Sequence, residues 1–294
     1  MLPYQNDTVQ KVMRLLPRGT RDILEIGSDI GGEVACALAE LSGARVVGIN
    51  PSESFPAPAG ELPSNVSLLR ADGRALPFGE CSFDVVFAVA TMEHVQGLDL
   101  FLSEVERVLR PGGVFHTEFS PIWSSARGHH VFAVVGNKEA RFWKPGKNPI
   151  PDYAHLLWGA DEMRDYLRSG PTTEELIEPI VQWVYFDDSL NRCHLEEYLA
   201  AFDRSPLLMQ KIRFDCDPPA PASLAQLAAK YGAGRRFGCH SISTELRKRP
   251  VGGMAKAAFT VYLALCRQIV PRAQRVRLLL YKVYHALRSI CHGA

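Results

Sequence analysis

Two groups of residues have the types and spacing to do chemistry. The first is Glu25-Ile26-Gly27-Ser28-Asp29-Ile30-Gly31-Gly32, a carboxylate followed by a glycine-rich turn. Glycine lets a ligand approach the backbone, and a helix opening at such a turn presents unpaired N–H groups. The second group is histidine: His94, and the adjacent pair His129-His130. Near neutral pH an imidazole is the side chain best suited to take a proton from a hydroxyl or amine. A metal site built from His129, His130, Asp152 and His155 is disfavoured, because adjacent histidines do not readily turn to the same side of a regular strand. No metal is expected.

The elements that must position these residues read as alternating strands and helices. Ile23, Leu24 and Ile26 form the short apolar run of a parallel strand covered on both faces. Val34, Ala35, Ala37, Leu38 and Leu41 then recur at helical spacing, after a leading helix over 7–16. Arg45-Val46-Val47-Gly48-Ile49 is a second buried strand ending at Asn50, a position that could bond ribose hydroxyls without charge assistance; aspartate there would restore that assistance. Residues 51–65 hold Pro51, Pro56, Pro58 and Pro63 and cannot form a regular crossover helix. Val66–Arg70, Ser82–Val89 and Val114–Phe119 supply three more strands, with a helix near 98–109. Five strands with crossovers make an α/β doubly wound sheet. The turn at 27–32 then lies at the carboxyl end of a strand, in a nucleotide-type crevice. A dinucleotide fingerprint fails there, because Asp29 stands where its second glycine belongs.

The ordered set Glu25-x-Gly27-x-Asp29-x-Gly31, Asp72 with Leu76-Pro77-Phe78, Phe83-Asp84-Val85-Val86, Glu93-His94-Val95 and Leu109-Arg110-Pro111-Gly112-Gly113 resembles the class I S-adenosylmethionine (SAM) methyltransferases. The closest likeness is to their small-molecule, type 11 group, and it covers about residues 20–120. It departs from the family at Asp29, where a glycine is usual, and at Asn50, where a carboxylate is usual. The resemblance implies a Rossmann-like, mostly parallel seven-stranded sheet with antiparallel closing strands near 207–214 and 239–246. It implies SAM as cofactor: its methionine end by Glu25, Gly27, Ser28 and Gly31, its ribose at Asn50, its adenine at Asp72-Gly73, and its sulfonium over Ala90 and Thr91. Residues 121–193, rich in tryptophan and histidine, occupy the place where the family inserts a substrate cap. His130, His129 or His94 would then be the base, and the acceptor a small hydroxyl compound or a sugar or glycan intermediate. On this reading 1–120 and 194–249 form the Rossmann-like domain around the cap. The competing readings are a SAM-fold protein that does not transfer methyl groups and a membrane-surface interaction protein.

Composition bounds the rest. The chain has 294 residues, 47% of them hydrophobic, and a net charge of +1, which predicts no nucleic-acid partner. Its seven cysteines have no C-x-x-C spacing and read as reduced thiols in a cytoplasmic protein without a signal peptide. Residues 250–294 form a basic tail, with helices expected near 253–269 and 272–290. The second helix places Val276, Leu279, Leu280, Val283, Leu287 and Ile290 on one face, a pattern suited either to packing on the domain or to peripheral membrane contact. Nothing in the sequence fixes the oligomeric state.

Overall fold

Strand order is what places the site. In the computed structural model, which describes residues 1–58 and 60–250, seven strands run in the order β3-β2-β1-β4-β5-β9-β8. They are β1 (Asp22–Ile26), β2 (Arg45–Asn50), β3 (Val66–Arg70), β4 (Phe83–Val89), β5 (Leu109–Phe119), β8 (Leu208–Cys216) and β9 (Cys239–Arg247). The chain steps outward from β1 to β3, then crosses back to β4 on the other side of β1. Crevices for ligands open at such a reversal, beyond the carboxyl ends of the strands. That point lies between the ends of β1 and β4.

Both faces of the sheet are covered, and the alternation of side chains is visible residue by residue. Ile23, Val46, Val85 and Phe87 pack on one face with Val9 and Val12 of α1 (Pro3–Leu15) and Val34 and Leu38 of α2 (Glu33–Ser42). Leu24, Val47, Val86 and Ala88 pack on the other with Phe101 and Val105 of α3 (Leu98–Val108) and Tyr198 and Phe202 of α7 (Leu195–Arg204). Pro3 opens α1 four residues earlier than the apolar spacing alone suggests, since proline suits a helix's first turn.

Residues 120–194 leave the sheet and build a small core of their own. They comprise a hairpin of β6 (Phe132–Val135) and β7 (Lys138–Arg141), then α4 (Ala154–Leu157), α5 (Ala160–Ser169) and α6 (Glu174–Tyr185). Val131, Ile150, Met163, Ile177, Ile180 and Val184 are buried together, with Trp123, Phe142, Trp158 and Trp183 against them. Much of the aromatic density of this segment is therefore its own packing.

Two expectations are corrected. Of the two closing strands only β9 runs against β1 to β5: β8 pairs antiparallel with β9 and so runs with them. The segment between them contains α8 (Pro221–Tyr231), again opened by proline. Cys216 and Cys239 face each other across β8 and β9 and are joined as a disulfide, so not all thiols are free. The tail helices expected near 253–269 and 272–290 lie outside the described residues. Among the described residues no helix is long and apolar enough to cross a membrane.

The amino ends of the central strands are tied by charge. Asp84 Oδ2 accepts from the N–H groups of Arg21 (2.8 Å) and Asp22 (3.0 Å) and lies 2.8 Å from Arg110 Nη1. Arg110 also reaches Asp22 at 2.7 Å, joining the starts of β1, β4 and β5. Asp84→Ala is expected to cost about 2–3 kcal/mol in chemical denaturation, the scale of lost charge-assisted bonds at a partly buried site. A loss under about 0.5 kcal/mol would show that the tie is dispensable.

Candidate active site

The turn after β1 is built by backbone bonds to β2. The N–H groups of Gly27 and Ser28 both donate to the Ile49 carbonyl, at 2.8 and 2.9 Å. Gly27 holds φ +82°, and a Cβ there would lie 2.1 Å from Thr91 Oγ1. Thr91 in turn donates to the carbonyls of Ile26 (3.2 Å) and Val89 (2.9 Å), so the ends of β1 and β4 meet at these residues. Ala90, just before it, has φ +49°. Such a backbone is costly for a residue with a side chain and persists only where the surroundings impose it.

Glu25 lies under this turn, 5% exposed, and its Oε2 accepts from Ser28 Oγ at 2.9 Å. Burial pushes its carboxyl up to about 8, the Ser28 hydroxyl working against that shift and the nearby Asp29 and Glu33 charges adding to it. It has no ion-pair partner among the described residues. A buried carboxyl without a cation is a fitting seat for an ammonium group.

Asn50 is occupied by the backbone. Its Nδ2 donates to the Ser28 carbonyl and its Oδ1 accepts from the Ser52 N–H, both at 2.9 Å. Asp72 caps its own turn, accepting from the Arg74 N–H at 2.8 Å and from the Arg74 guanidinium at 2.6–3.1 Å. That guanidinium holds the Asp72 carboxyl below its usual range against the opposing effect of burial. Gly73 follows it, and the Ala71 N–H donates to the Asn50 carbonyl at 3.2 Å, so the ends of β2 and β3 adjoin. Gly31 closes the turn beside Ile30, whose carbonyl accepts from Ala57 of the proline-rich loop at 2.9 Å.

The histidines separate into two environments. His94 sits on the 3₁₀ turn Met92–His94 after β4, its Nδ1 2.6 Å from the Ser189 carbonyl. Its ring partly reaches solvent, yet the packing around it holds its pKa below the usual value. His130 is buried, with Nδ1 2.9 Å from the Gly128 carbonyl and Nε2 4.0 Å from Glu93 Oε1. Burial lowers its pKa to about 4, with the Gly128 and Ser120 carbonyls opposing. The rings of His94 and His130 are 5.5 Å apart between centroids. His129 turns elsewhere, into the core of the insertion. Its Nδ1 accepts from the Val131 N–H at 3.1 Å and its ring packs 5.3 Å from that of His155. Burial, more than the neighbouring His155, His130 and Arg127, keeps it well below its ordinary pKa. The pair is thus not the mobile polar entry that Gly128-His129-His130 suggests in the sequence. A Cβ at Gly128 would lie 2.4 Å from the carbonyls of Ile122 and Trp123, which packs this segment tightly.

Glu93 is the residue that sequence reasoning undervalued. It is 3% exposed, and burial pushes its carboxyl up to about 8 despite N–H groups of its own backbone and Ser120. Asn191 clamps the same turn, with Nδ2 donating to the carbonyls of Met92 (2.7 Å) and Val95 (3.0 Å). The adjacency of Glu93 and His94 at a strand end was the available signal. Asn191 had none.

Residues 24–117 match the family described as "Methyltransferase domain". Over these residues the chain has the pattern of a class I SAM-dependent methyltransferase domain. Its relatives include a sterol 24-C-methyltransferase of Gibberella zeae, 33% identical over 32% of this chain and 26% of that protein. An uncharacterized methyltransferase of Mycobacteroides abscessus is 31% identical over 53% of this chain and 63% of its own length. The chain thus spans about a quarter of the sterol relative and under two thirds of the mycobacterial one. A solved SAM-dependent methyltransferase from Mesorhizobium loti aligns with 81% of this chain and 96% of its own at 21% identity and a TM-score of 0.48.

The two departures from the methyltransferase pattern have local causes. Asp29 accepts from the N–H groups of Glu33 (2.9 Å) and Val34 (3.3 Å), capping α2 where the usual residue is glycine. Asn50 is needed as a donor, because the group it reaches on Ser28 is a carbonyl. This reverses the expectation for Asn50→Asp. The substitution removes the donor and sets a carboxylate against the Ser28 oxygen, so it should cost about 1–3 kcal/mol of stability and weaken SAM binding in calorimetry. Unchanged stability and affinity would free Asn50 from this role.

Proposed function

We propose that the chain methylates a hydroxyl group of a small molecule, or of a sugar or glycan intermediate, that lies between the turn after β4 and the insertion over 121–193. The observation that carries this reading is the meeting of His130 with Glu93, two buried side chains on separate segments, directly after the Thr91 junction. SAM supplies an electrophilic methyl group. The protein's own contribution is to hold the acceptor oxygen about 3–3.5 Å from it, in line, and to exclude water.

Glu25 is the seat for the methionine ammonium, and the turn Gly27–Gly31 the backbone it lies along. Ala90 and Thr91 support the reacting centre. Asn50 fixes the turn from the ribose side, and Asp72-Gly73 border the adenine. His130 Nδ1 must carry the proton, since its partner is a carbonyl, so Nε2 keeps its lone pair on the side of Glu93. Glu93, His94 and His130 together are where an acceptor's proton is handled, and His129 supports them from the insertion core. The sterol methyltransferase of Gibberella zeae matches 32% of this chain, and the family match over 24–117 ends before the insertion. Its acceptor is therefore not carried over to this chain.

Two measurements test the reading. His130→Gln should lower turnover by about 10²–10⁴-fold with SAM affinity nearly unchanged, the signature of a group that acts on the acceptor. Full turnover in that variant would remove the cluster from the reaction. The second concerns pH. The Glu25 carboxyl is raised in the folded protein, so it weakens folding progressively as pH rises from its unfolded value of 4.5 to about 8. A cationic ligand favours the ionised form, so SAM affinity should rise with pH up to about 8, by up to about tenfold per unit. Glu25→Gln should flatten that slope. An equally steep slope in the variant would assign it to another group.

A further inference from the structure

Glu93, His94 and His130 do more than adjoin: one ligand atom from each lies within 4.8 Å of the others. Each histidine spends Nδ1 on a backbone carbonyl, Ser189 for His94 and Gly128 for His130. A carbonyl can only accept, so both rings carry their proton on Nδ1 and offer Nε2 as a lone pair. Histidines that ligate ions are oriented and fixed in tautomer in this manner. Buried polar atoms are nearly always paired, yet Glu93 Oε2 and His130 Nε2 are both buried without a hydrogen-bond partner. His130 moreover holds φ +45°, a left-handed backbone uncommon for a residue with a side chain. The Asn191 clamp keeps the other two donors on a fixed turn.

We propose that Glu93, His94 and His130 bind a divalent first-row transition-metal ion, such as Zn²⁺ or Mn²⁺. One carboxylate and two neutral imidazoles suit such an ion better than Mg²⁺ or Ca²⁺, which prefer oxygen ligands alone. Ligand atoms about 2.0–2.2 Å from an ion lie about 3–3.5 Å from one another, so the three side chains close in by roughly an ångström on binding. Three protein ligands leave coordination positions for an acceptor oxygen, and Trp123, Leu190, Asn191 and Arg192 close over the same spot and must part to admit it. Occupation of those positions by the acceptor rests on the methyl-transfer reading; ion binding by the triad does not. There the ion makes an acceptor hydroxyl more acidic. The hydroxyl gives its proton to water, its oxygen forms the new O–CH₃ bond, and the electrons of the S–CH₃ bond stay on sulfur. Sequence spacing gives no hint of the triad, because His130 is remote from the other two in the chain and next to a histidine that faces another way.

The experiment is equilibrium dialysis of the full chain, stripped with chelator, against Zn²⁺ and separately Mn²⁺, with SAM affinity measured alongside by calorimetry. The expected result is one ion per wild-type chain and at least tenfold weaker binding in Glu93→Gln and His130→Gln. His94→Ala, at the partly exposed member, gives the same loss with the buried packing left in place. No retention of either ion by wild type, as for a site that holds only water, overturns the proposal, and so does equal retention by all three variants. Ion binding without SAM binding would uphold the ion site while sinking the methyl-transfer reading.

Discussion

The contact on which the site depends is the seam between the ends of β1 and β4. Thr91 Oγ1 donates to the Ile26 carbonyl while Gly27, lacking a side chain, lets the two strand ends touch. Sheet hydrogen bonds stop at Glu25 opposite Phe87, so beyond that point nothing in the ladder holds these ends together. The seam replaces the ladder with a side-chain bond and a steric fit. From one side it fixes the glycine turn, from the other it launches the 3₁₀ turn that carries Glu93 and His94. A shift here would move the cofactor side and the acceptor side together.

Buried ionisable groups cluster on both sides of the seam, and among the described residues none of the principal ones has a charged partner that compensates it. Glu25 and Glu93 are pushed toward their protonated forms, while His129, His130 and His155 are held neutral by burial. As pH falls from 6.5, the unfolded histidines gain protons that the folded ones refuse, so their contribution to stability is lost through acid. The carboxylates act in the opposite sense, opposing folding as pH rises from 4.5 to about 8. Stability from these groups therefore peaks near pH 6.5. A protein that accepts such costs at one place keeps polar groups there for ligands rather than for folding.

The cofactor half was legible in the sequence because its positions are set by backbone geometry. Apolar runs of strand length, a glycine turn and helical spacing after it gave β1, α2, β2 and β4 to within a residue or two. The direction of β8 was not legible, since pairing with β9 and not its own pattern decides it. Nor was the disulfide, because Cys216 and Cys239 become neighbours only through that pairing. The role of Asn50 was half legible: its place at the strand end could be read, but its commitment to the Ser28 carbonyl could not.

The insertion side follows a different rule. Glu93, His130 and Asn191 are brought together by the packing of the insertion, and nothing periodic marks them in the chain. His129 and His130 look equivalent in sequence and end in separate environments, because Gly128 allows a turn so tight that consecutive side chains diverge. The family match covers residues 24–117 and stops short of the insertion. A cofactor held largely by backbone at strand ends tolerates sequence change so long as the turns survive. An acceptor held by side chains on an inserted core does not impose its pattern on relatives that hold something else. His130, outside the matched residues 24–117, meets Glu93, inside them, so this contact joins the insertion to the domain.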